Sequence, residues 1–362
     1  MHSDEGSHAG GGRRGRGITL ADVAQAAGVS KTTVSNAYNR PDQLSAQLRR
    51  RVLDVAAWLG YPGPDPIAVT FSRRRAGAIG LVFDDPLTFA LTDPAEVLFV
   101  TGIGEVCERA GVGLALIPRG PHEDLIRRTL VDGFVCHCDI EGDSRVDVAV
   151  GRGLPVVVVD GPARPGVGHV GVQDREGAAA AARHLLGLGH RRLAVLTAPL
   201  HPDGYAGLAD LIRQNSARYH VNKERLSGYR AEAESAGVDW AAVPVLEASP
   251  YGRLAGYHAV AQLLDSPNPP TALLASSDEL ALGALRAAAD REIAVPEQLS
   301  IVGFDDAPPA AWSTPTLTTI RQPHRNKGQV ATEQLLGLRP LQDLTYPTEL
   351  VVRRSTAPRP HR

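Results

Sequence analysis

Short polar and basic side chains are concentrated in residues 30–39, and their chemistry suits contact with DNA. This segment reads SKTTVSNAYN. Lys31, Thr32 and Asn36 carry groups that can hydrogen-bond to base edges in a major groove. Shorter hydroxyl and amide side chains suit phosphate oxygens, which fix the register of a protein on a duplex. The residues predicted to contact phosphates are Thr19, Ser30, Thr33, Ser35 and Asn39.

The sequence around these side chains predicts three short helices in residues 18–61, which we call the head. A tight turn at Gly28-Val29 separates the first two helical patterns. Thr19 starts a capping-box spacing, and Ser30 and Ser45 are good N-caps for the second and third helices. Two short helices joined by a glycine turn predict a helix-turn-helix, whose second helix enters the major groove.

The charge distribution indicates that only the head meets a polyanion. The whole chain balances 38 Lys and Arg against 40 Asp and Glu. Residues 13–60 nevertheless hold eight Lys or Arg against three Asp, residues 61–75 add a net +2, and residues 76–362 carry −7. A charge run by itself is more often a solvated surface. The basic charge of the head indicates DNA binding only in combination with the helix-turn-helix pattern.

Length and composition exclude several classes of protein. The 362 residues, 43% of them hydrophobic, suffice for two or three domains. No apolar run reaches the ~18–20 residues of a membrane helix. Residues 1–17 lack the apolar region of a secretory signal and predict a disordered basic tail. Three cysteines (Cys107, Cys136 and Cys138) cannot build a disulfide framework and fit a reducing, cytoplasmic compartment. DNA binding by the head would place the protein at the nucleoid.

Beyond Gly77, continuous apolar runs alternate with helical stretches. This alternation predicts parallel sheets covered by helices on both faces, and the length favours two α/β lobes over one core. The predicted body spans residues 77–353. One predicted lobe combines residues 77–172 with 303–322, and the other combines 173–302 with 323–353. Residues 354–362 are predicted to be a frayed tail.

The head sequence, ITLADVAQAAGVSKTTVSNAYN over residues 18–39, strongly resembles that of LacI/GalR-type bacterial transcription repressors. It matches the family pattern at nearly every fixed position. Asn36 stands where the family usually has Arg, and Tyr38 where it often has Leu. Because Asn pairs bidentately with adenine, we expect Asn36 to favour adenine over guanine. The resemblance implies a homodimer on a pseudo-palindromic operator.

The same resemblance makes residues 62–76 a hinge and linker. In such repressors the connector folds into a helix on DNA, and an apolar residue wedges the minor groove open. Phe71 occupies the position usually held by Leu, and an aromatic wedge would still unstack a base step. The alternative is that Phe71 packs on its own body. Pro62, Pro64 and Pro66 precede the hinge and are compatible with a helix start.

The body resembles periplasmic sugar-binding proteins, which supply the effector domain of this family. The distinctive matches are residues 189–193, 277–283, 302–306 and 315–320. The resemblance implies a small-molecule effector, a sugar, in the cleft between the lobes. The resemblance implies that Asp278, Arg225 and Tyr251 bind the effector. Four further candidates follow predicted strands, whose carboxyl ends meet at the cleft: Asp160, Phe304, Asp305 and Phe89. The alternatives are that Asp278 only N-caps a helix and that Arg225 is a solvated cation.

Other short patterns give no support for an enzyme. Residues 166–171 spell GxGxxG but precede a strand, whereas a phosphate-binding loop opens a helix. Cys136-His137-Cys138 suggests a metal, but alternate strand side chains point to opposite faces and no second ligand pair follows, so no metal or other cofactor is predicted. The prediction is an effector-controlled, sequence-specific DNA-binding repressor. The alternative is a sugar-binding receptor-like protein without DNA function.

Overall fold

The computed structural model describes residues 17–64, 75–84, 86–118, 123–138 and 140–359. The chain divides into two units, residues 1–76 and 77–362. The division coincides with the end of the predicted hinge. Within the described residues, no helix combines the length and the apolar composition that crossing a membrane requires.

The head consists of α1 (Leu20–Ala27), α2 (Lys31–Asn39) and α3 (Ala46–Leu59), with a 3-10 turn at Pro41–Gln43. Thr19 forms a capping box at the start of α1, and Ser30 caps α2. Gly28 ends α1 with φ 65° and ψ 38°, a left-handed conformation that glycine adopts without steric cost. The predicted helix-turn-helix is therefore confirmed. Its small core consists of Val23, Ala24, Ala27, Val34, Ala37, Val52 and Ala56.

The body alternates strands and helices. Its strands are β1 (Ala78–Val82), β2 (Gly113–Ile117), β3 (Phe134–His137), β4 (Val156–Val159), β5 (Gly168–Val172), β6 (Leu193–Thr197), β7 (Gly207–Leu208), β8 (Val245–Glu247), β9 (Ala272–Ala275), β10 (Ser300–Asp305), β11 (Thr318–Arg321), β12 (Asp343–Tyr346) and β13 (Glu349–Val351). Its helices are α4 (Leu87–Ala90), α5 (Pro94–Ala110), α6 (Asp124–Arg128), α7 (Arg145–Gly151), α8 (Asp174–Gly187), α9 (Leu211–Asn215), α10 (His220–Ser235), α11 (Arg253–Leu264), α12 (Asp278–Ala289), α13 (Pro308–Trp312) and α14 (His324–Leu335).

These strands form two sheets, one in each lobe. The first-lobe sheet has the order β12-β5-β4-β3-β1-β2, with every neighbouring pair parallel. The second-lobe sheet has the order β13-β11-β10-β9-β6-β8-β7, and only its two edge pairs are antiparallel. Central strands such as β4 are buried along their whole length, as expected for a sheet covered on both faces. The predicted two-lobe α/β class is confirmed.

The predicted division of the C-terminal segments between the lobes is wrong except at β13, which pairs with β11 in the second lobe as predicted. Strands β10 and β11 pair with β9 in the second lobe, so residues 303–322 belong there. Helix α14 packs its Val330, Ala331 and Leu335 into the first-lobe core, and β12 pairs with β5 of the same lobe. Both segments have the same α/β pattern, and only long-range strand pairing assigns them to a lobe.

The segment predicted as a frayed tail is anchored through residue 359. Ser355 is completely buried; its hydroxyl accepts a hydrogen bond from the Thr318 backbone N–H at 2.8 Å and donates to the Ile301 carbonyl at 2.6 Å. The carbonyl of Ala357 lies 3.0 Å from Nε2 of His190. The prolines near the C-terminus exclude regular secondary structure, but they do not prevent the extended chain from packing along β10 and β11.

Candidate functional site

Helix α2 presents a polar face to solvent and an apolar face to the core of the head. Lys31 and Thr32 are exposed, and Asn36 is half-buried one turn further along the same face. Val34 and Ala37, on the opposite face, are completely buried. The three side chains predicted to read bases therefore share a surface that the head itself does not cover.

The side chains predicted to contact phosphates are held by short local hydrogen bonds. The hydroxyl of Ser30 lies 2.9 Å from that of Thr33 and caps the start of α2. Asn39 Nδ2 donates to Ser35 Oγ at 3.4 Å, and Thr19 is engaged in the cap of α1. None of the five is buried, so each retains access to an incoming phosphate oxygen.

The structure adds Gln43 to the polar surface of the head. Asn36 Nδ2 donates to Gln43 Oε1 at 3.1 Å, which places a second amide beside the predicted adenine reader. Sequence reasoning missed Gln43 because it lies in the 3-10 turn beyond the helical pattern. Arg49 and Arg51 of α3 donate to backbone carbonyls near the ends of α2 and α1, so they brace the head. The predicted wedge residue Phe71 lies outside the described residues.

In the body, a cavity lies between the two lobes, at the carboxyl ends of strands from both sheets. Such edges are the usual ligand sites of parallel α/β folds. Five of the seven predicted effector residues line this cleft: Phe89, Asp160, Arg225, Tyr251 and Asp305. The other two, Asp278 and Phe304, lie behind its surface.

Arg225 is buried in the second-lobe wall, and Phe304 lies beneath it. From α10 the guanidinium donates to Asp174 Oδ1 at 2.8 Å and to the Ser276 carbonyl at 2.5 Å. Its central carbon is 3.7 Å from the centroid of the Phe304 ring, and Nη1 is 3.9 Å from Asp305 Oδ1. Arg225 is thus no solvated cation, and the completely buried Phe304 supports it from the core without lining the cleft.

Asp278 is 1% exposed and points away from the cleft. Its Oδ1 accepts a hydrogen bond from Thr319 Oγ1 at 2.5 Å, and its Oδ2 accepts one from the Ala307 backbone N–H at 2.9 Å. Gly303 makes room for it, because a Cβ at position 303 would be 2.3 Å from Asp278 Oδ1. The N-cap of α12 is Ser277. The structure therefore differs from both interpretations of Asp278: the residue ties α12 to β11 inside the second lobe.

The first-lobe wall contains a buried ion pair that sequence reasoning missed. Asp160 follows β4, and its carboxylate accepts a hydrogen bond from Lys327 Nζ. Burial alone would raise the pKa of Asp160, but the Lys327 ammonium and the neighbouring His137 hold that pKa well below its usual range. Lys327 is completely buried in α14, one turn before the buried Ala331. A lysine within the apolar stripe of a helix is the signal that could have revealed this pair.

Gln322 joins the two walls at a point where the chain crosses between the lobes. Its Nε2 donates to Asp305 Oδ1 of the second lobe at 2.7 Å. Its Oε1 accepts from Lys327 Nζ of the first lobe at 2.8 Å. His324 Nε2, two residues further along, is 3.6 Å from the same oxygen of Asp305. The cleft thus has a continuous polar connection from one lobe to the other.

Glu96, His137 and Cys138 meet on the first-lobe wall. His137 Nδ1 is 3.3 Å from Glu96 Oε2, and Nε2 is 3.4 Å from Asp160 Oδ2 and 3.8 Å from Cys138 Sγ. Burial alone would lower the pKa of His137, but the adjacent thiol and carboxylates raise it well above its usual value. Cys138 adopts φ 54°, which ends the strand alternation, so that both His137 and Cys138 line the cleft while Cys136 remains in the core.

Phe89 and Tyr251 form an aromatic pair between the lobes, with ring centroids 4.7 Å apart and planes at 75°. Asp93 lines the same cleft and N-caps α5. Its burial, together with Asp305 and Glu96, raises the pKa of Asp93 to about 8. A protonated carboxyl can donate as well as accept, so this wall offers both kinds of hydrogen-bonding group beside an apolar ring surface.

Two family models match the chain. Residues 19–63 match the model of bacterial regulatory proteins of the lacI family. Residues 182–356 match that of the periplasmic binding protein-like domain. These ranges correspond to the helix-turn-helix and to the part of the body from α8 onward; strands β1–β5 precede the matched range.

Transcriptional regulators from other bacteria match the chain over nearly its whole length. The chain is 42% identical over 355 residues to the HTH-type transcriptional regulator Rv3575c of Mycobacterium tuberculosis, covering 95% of this chain and 98% of the relative. A transcriptional regulator of the LacI family from Corynebacterium glutamicum is 34% identical, with 94% and 98% coverage and a TM-score of 0.72. The transcriptional regulator CelR, solved as a complex with cellobiose, is 27% identical, with 93% and 99% coverage and a TM-score of 0.65.

Together, the matched head, the matched body and the full-length similarity confirm the predicted relationship. Such relatives are transcriptional regulators, which supports the expectation that the chain is not an enzyme. The protein belongs to the lacI family of bacterial transcriptional regulators, with a helix-turn-helix head and a periplasmic-binding-like body.

Proposed function

We propose that the protein is a homodimeric repressor whose affinity for a pseudo-palindromic operator is controlled by a sugar-like effector in the cleft of the body. In this proposal Lys31, Thr32 and Asn36 read bases, with Gln43 beside Asn36. Phe71 stays the predicted minor-groove wedge. The observation that carries the proposal is that one chain combines an exposed polar α2 face with a cleft lined by hydrogen-bonding groups of both lobes.

The lining of the cleft favours a polyhydroxylated effector. Hydroxyl groups both donate and accept, so they satisfy carboxylates such as Asp160 and donors such as the Asn222 amide, which also lines the cleft. Asp160 Oδ1 is buried and has no hydrogen-bond partner among the described residues, so it is available to a ligand hydroxyl. The Phe89–Tyr251 pair offers an apolar surface to the C–H face of a sugar ring. The cellobiose complex of CelR supports a carbohydrate.

Control of DNA affinity follows if the effector binds both walls at once. The Lys327–Gln322–Asp305 connection already links the two lobes. A ligand that adds hydrogen bonds to both walls stabilises one arrangement of the lobes over others. The operator affinity then changes by the ratio of the effector's affinities for the two arrangements.

The first test is selection of random duplex DNA by the purified full-length protein at moderate salt. We expect enrichment of a palindrome, because two heads on a two-fold axis read two half-sites. Retention of the enriched duplex is then measured against pools of sugars and polyols. Failure to enrich any duplex, with and without these pools, would contradict the regulator proposal.

Two substitutions on the same helix test the cleft. Arg225→Lys removes the forked guanidinium from the lining, whereas Arg230→Lys alters a half-buried arginine of α10 that pairs with Glu234 outside the cleft. We expect only Arg225→Lys to weaken the effector response, by roughly 10-fold or more, because Lys cannot reproduce two directed hydrogen bonds. Operator affinity without effector is measured for both variants. An unchanged response in Arg225→Lys would place the effector elsewhere.

A further inference from the structure

The first-lobe wall of the cleft brings together three different metal-binding side chains. One ligand atom from each of Glu96, His137 and Cys138 lies within 4.8 Å of the others. All three residues line the cleft, and His137 is buried. We propose that this cluster binds one divalent transition-metal ion, Zn²⁺ or an ion of similar preference, inside the effector cleft.

Backbone conformation is what creates the cluster. His137 is the last residue of β3, and in a continuing strand the next side chain would point to the other face. Cys138 instead has φ 54°, and its sulfur turns toward the cleft. Glu96 reaches the same point from the first turn of α5. The three ligands therefore come from two rigid elements, which is how a preorganised site is built.

The chemistry of the donors favours zinc over calcium or magnesium. Imidazole nitrogen, thiolate sulfur and carboxylate oxygen are the ligands of Zn²⁺, whereas Ca²⁺ and Mg²⁺ require oxygen ligands. The 3.3 Å between His137 Nδ1 and Glu96 Oε2 suits two ligands at ~2.0–2.2 Å from one ion in tetrahedral geometry. In the arrangement we infer, Nδ1 binds the ion and Cys138 supplies the third ligand; its sulfur, which lies 3.8 Å from Nε2, has to turn toward Nδ1 to do so.

Asp160 completes the environment of the histidine. Its Oδ2 is 3.4 Å from His137 Nε2, the ring nitrogen that the ion does not use. A carboxylate at this position orients the ring and increases its basicity, as in other carboxylate–histidine–metal arrangements. Three protein ligands leave a fourth coordination position facing the cleft, where a water or an effector oxygen can bind.

The experiment is a Co²⁺ titration of the full-length protein after treatment with a chelator. Bound Co²⁺ reports a thiolate ligand by charge-transfer absorption and tetrahedral geometry by its visible d–d bands. We expect one Co²⁺ per chain with both signals, and displacement of Co²⁺ by Zn²⁺. All three ligands belong to the chain itself, so the titration needs neither DNA nor sugar.

Cys138→Ala and Cys136→Ala form a matched pair, since Cys136 lies two residues earlier, in β3, and faces the core. We expect Cys138→Ala to abolish the charge-transfer band and to weaken Zn²⁺ binding at least 10- to 100-fold, the range known even for outer-shell partners. Cys136→Ala should keep the charge-transfer band and the Zn²⁺ affinity of the unmodified protein. Glu96→Gln keeps the Cys138 thiol, so it should weaken metal binding without removing the charge-transfer band. Absence of the band in the unmodified protein, or its persistence in Cys138→Ala, would overturn the proposal.

Discussion

The α2 face of the head and the cleft of the body are both polar, but they hold their side chains in opposite ways. Lys31 and Thr32 project from α2 into solvent, and the neighbouring Ser30 and Thr33 make local hydrogen bonds at the start of the helix. In the walls of the cleft, Arg225 and Lys327 are buried and bonded to Asp174 and Gln322, outside their own helices. The α2 face is therefore an open polar surface, whereas the walls of the cleft are a network of buried, mutually bonded side chains.

This difference has an energetic consequence. An exposed side chain contributes little to folding, so its removal mainly affects the partner that it contacts. A buried charge stabilises the fold only while its partner is present, and loss of either member leaves an uncompensated charge in the interior. Substitutions in the cleft should therefore reduce stability together with ligand response, whereas substitutions on α2 should separate stability from DNA binding.

The largest effect is expected for Lys327→Met, which keeps the length of the side chain but removes its charge. Asp160 then stays buried without the ammonium that compensates it. We expect the free energy of unfolding to fall by about 3–5 kcal/mol. Denaturant unfolding of the body, followed by circular dichroism in the presence of a chelator, measures this change.

Lys223→Met is the matched control, because Lys223 pairs with Glu141 at 3.0 Å but both side chains are partly exposed. We expect this surface pair to contribute at most about 1 kcal/mol. The double variant Asp160→Asn with Lys327→Met should recover part of the loss. Equal effects of the two lysine substitutions would contradict the contrast between buried and exposed charges.

Gly303→Ala tests the packing behind the cleft. The new Cβ would be 2.3 Å from Asp278 Oδ1 and 2.9 Å from a methyl group of Leu317. We expect a loss of about 1–3 kcal/mol in unfolding free energy, because the surroundings must shift. Gly104→Ala, in α5 with no atom within 4 Å of its Cβ position, should instead stabilise by about 0.5–1 kcal/mol. The same sign for both substitutions would show that backbone entropy, and not the close approach, decides the effect.

The same contrast explains what the sequence could predict. Thr19, Gly28 and Ser30 act through neighbours within a few residues, so the caps and turn of the head follow from local pattern. Asp160 and Lys327 are 167 residues apart, and no local pattern links them. The sequence could place Asp160, Asp278 and Asp305 near the ends of β4, β9 and β10, but it could not give the direction of side chains at such strand ends. The direction of the Cys138 side chain depends on the left-handed backbone conformation of Cys138 itself. The direction of the Asp278 side chain depends on the space that Gly303 leaves beside it.

Asp93→Asn tests how far the buried carboxyl of Asp93 destabilises the folded protein as the pH rises. The folded protein raises the pKa of Asp93 to about 8, whereas an unfolded chain has an Asp pKa of about 3.9. Between these values the folded state binds more protons, so its stability falls as the pH rises. Asn at position 93 can still cap α5. Because Asn does not titrate, the variant does not lose stability in this way as the pH rises. From pH 5 to pH 7 we expect the variant to gain about 1–2 kcal/mol relative to the unmodified protein.

Unfolding at pH 5, 6 and 7 measures this gain. Asp210→Asn, at the exposed N-cap of α9, controls for replacing a capping carboxylate. A constant difference between Asp93→Asn and the unmodified protein across this pH range would show that burial does not hold a proton on Asp93.

The smallest effect on stability is expected for Lys31→Ala on the α2 face. Because Lys31 is exposed, we expect the unfolding free energy to change by no more than about 0.5 kcal/mol. Affinity for the selected operator should nevertheless fall by about 1–3 kcal/mol if Lys31 contacts a base. Fluorescence anisotropy with the operator and with a random duplex, at several salt concentrations, separates the two roles. A base contact lowers affinity for the operator more than for the random duplex. A phosphate contact lowers both equally and reduces the salt slope by about one, and that result would move Lys31 from the base-reading set to the phosphate set.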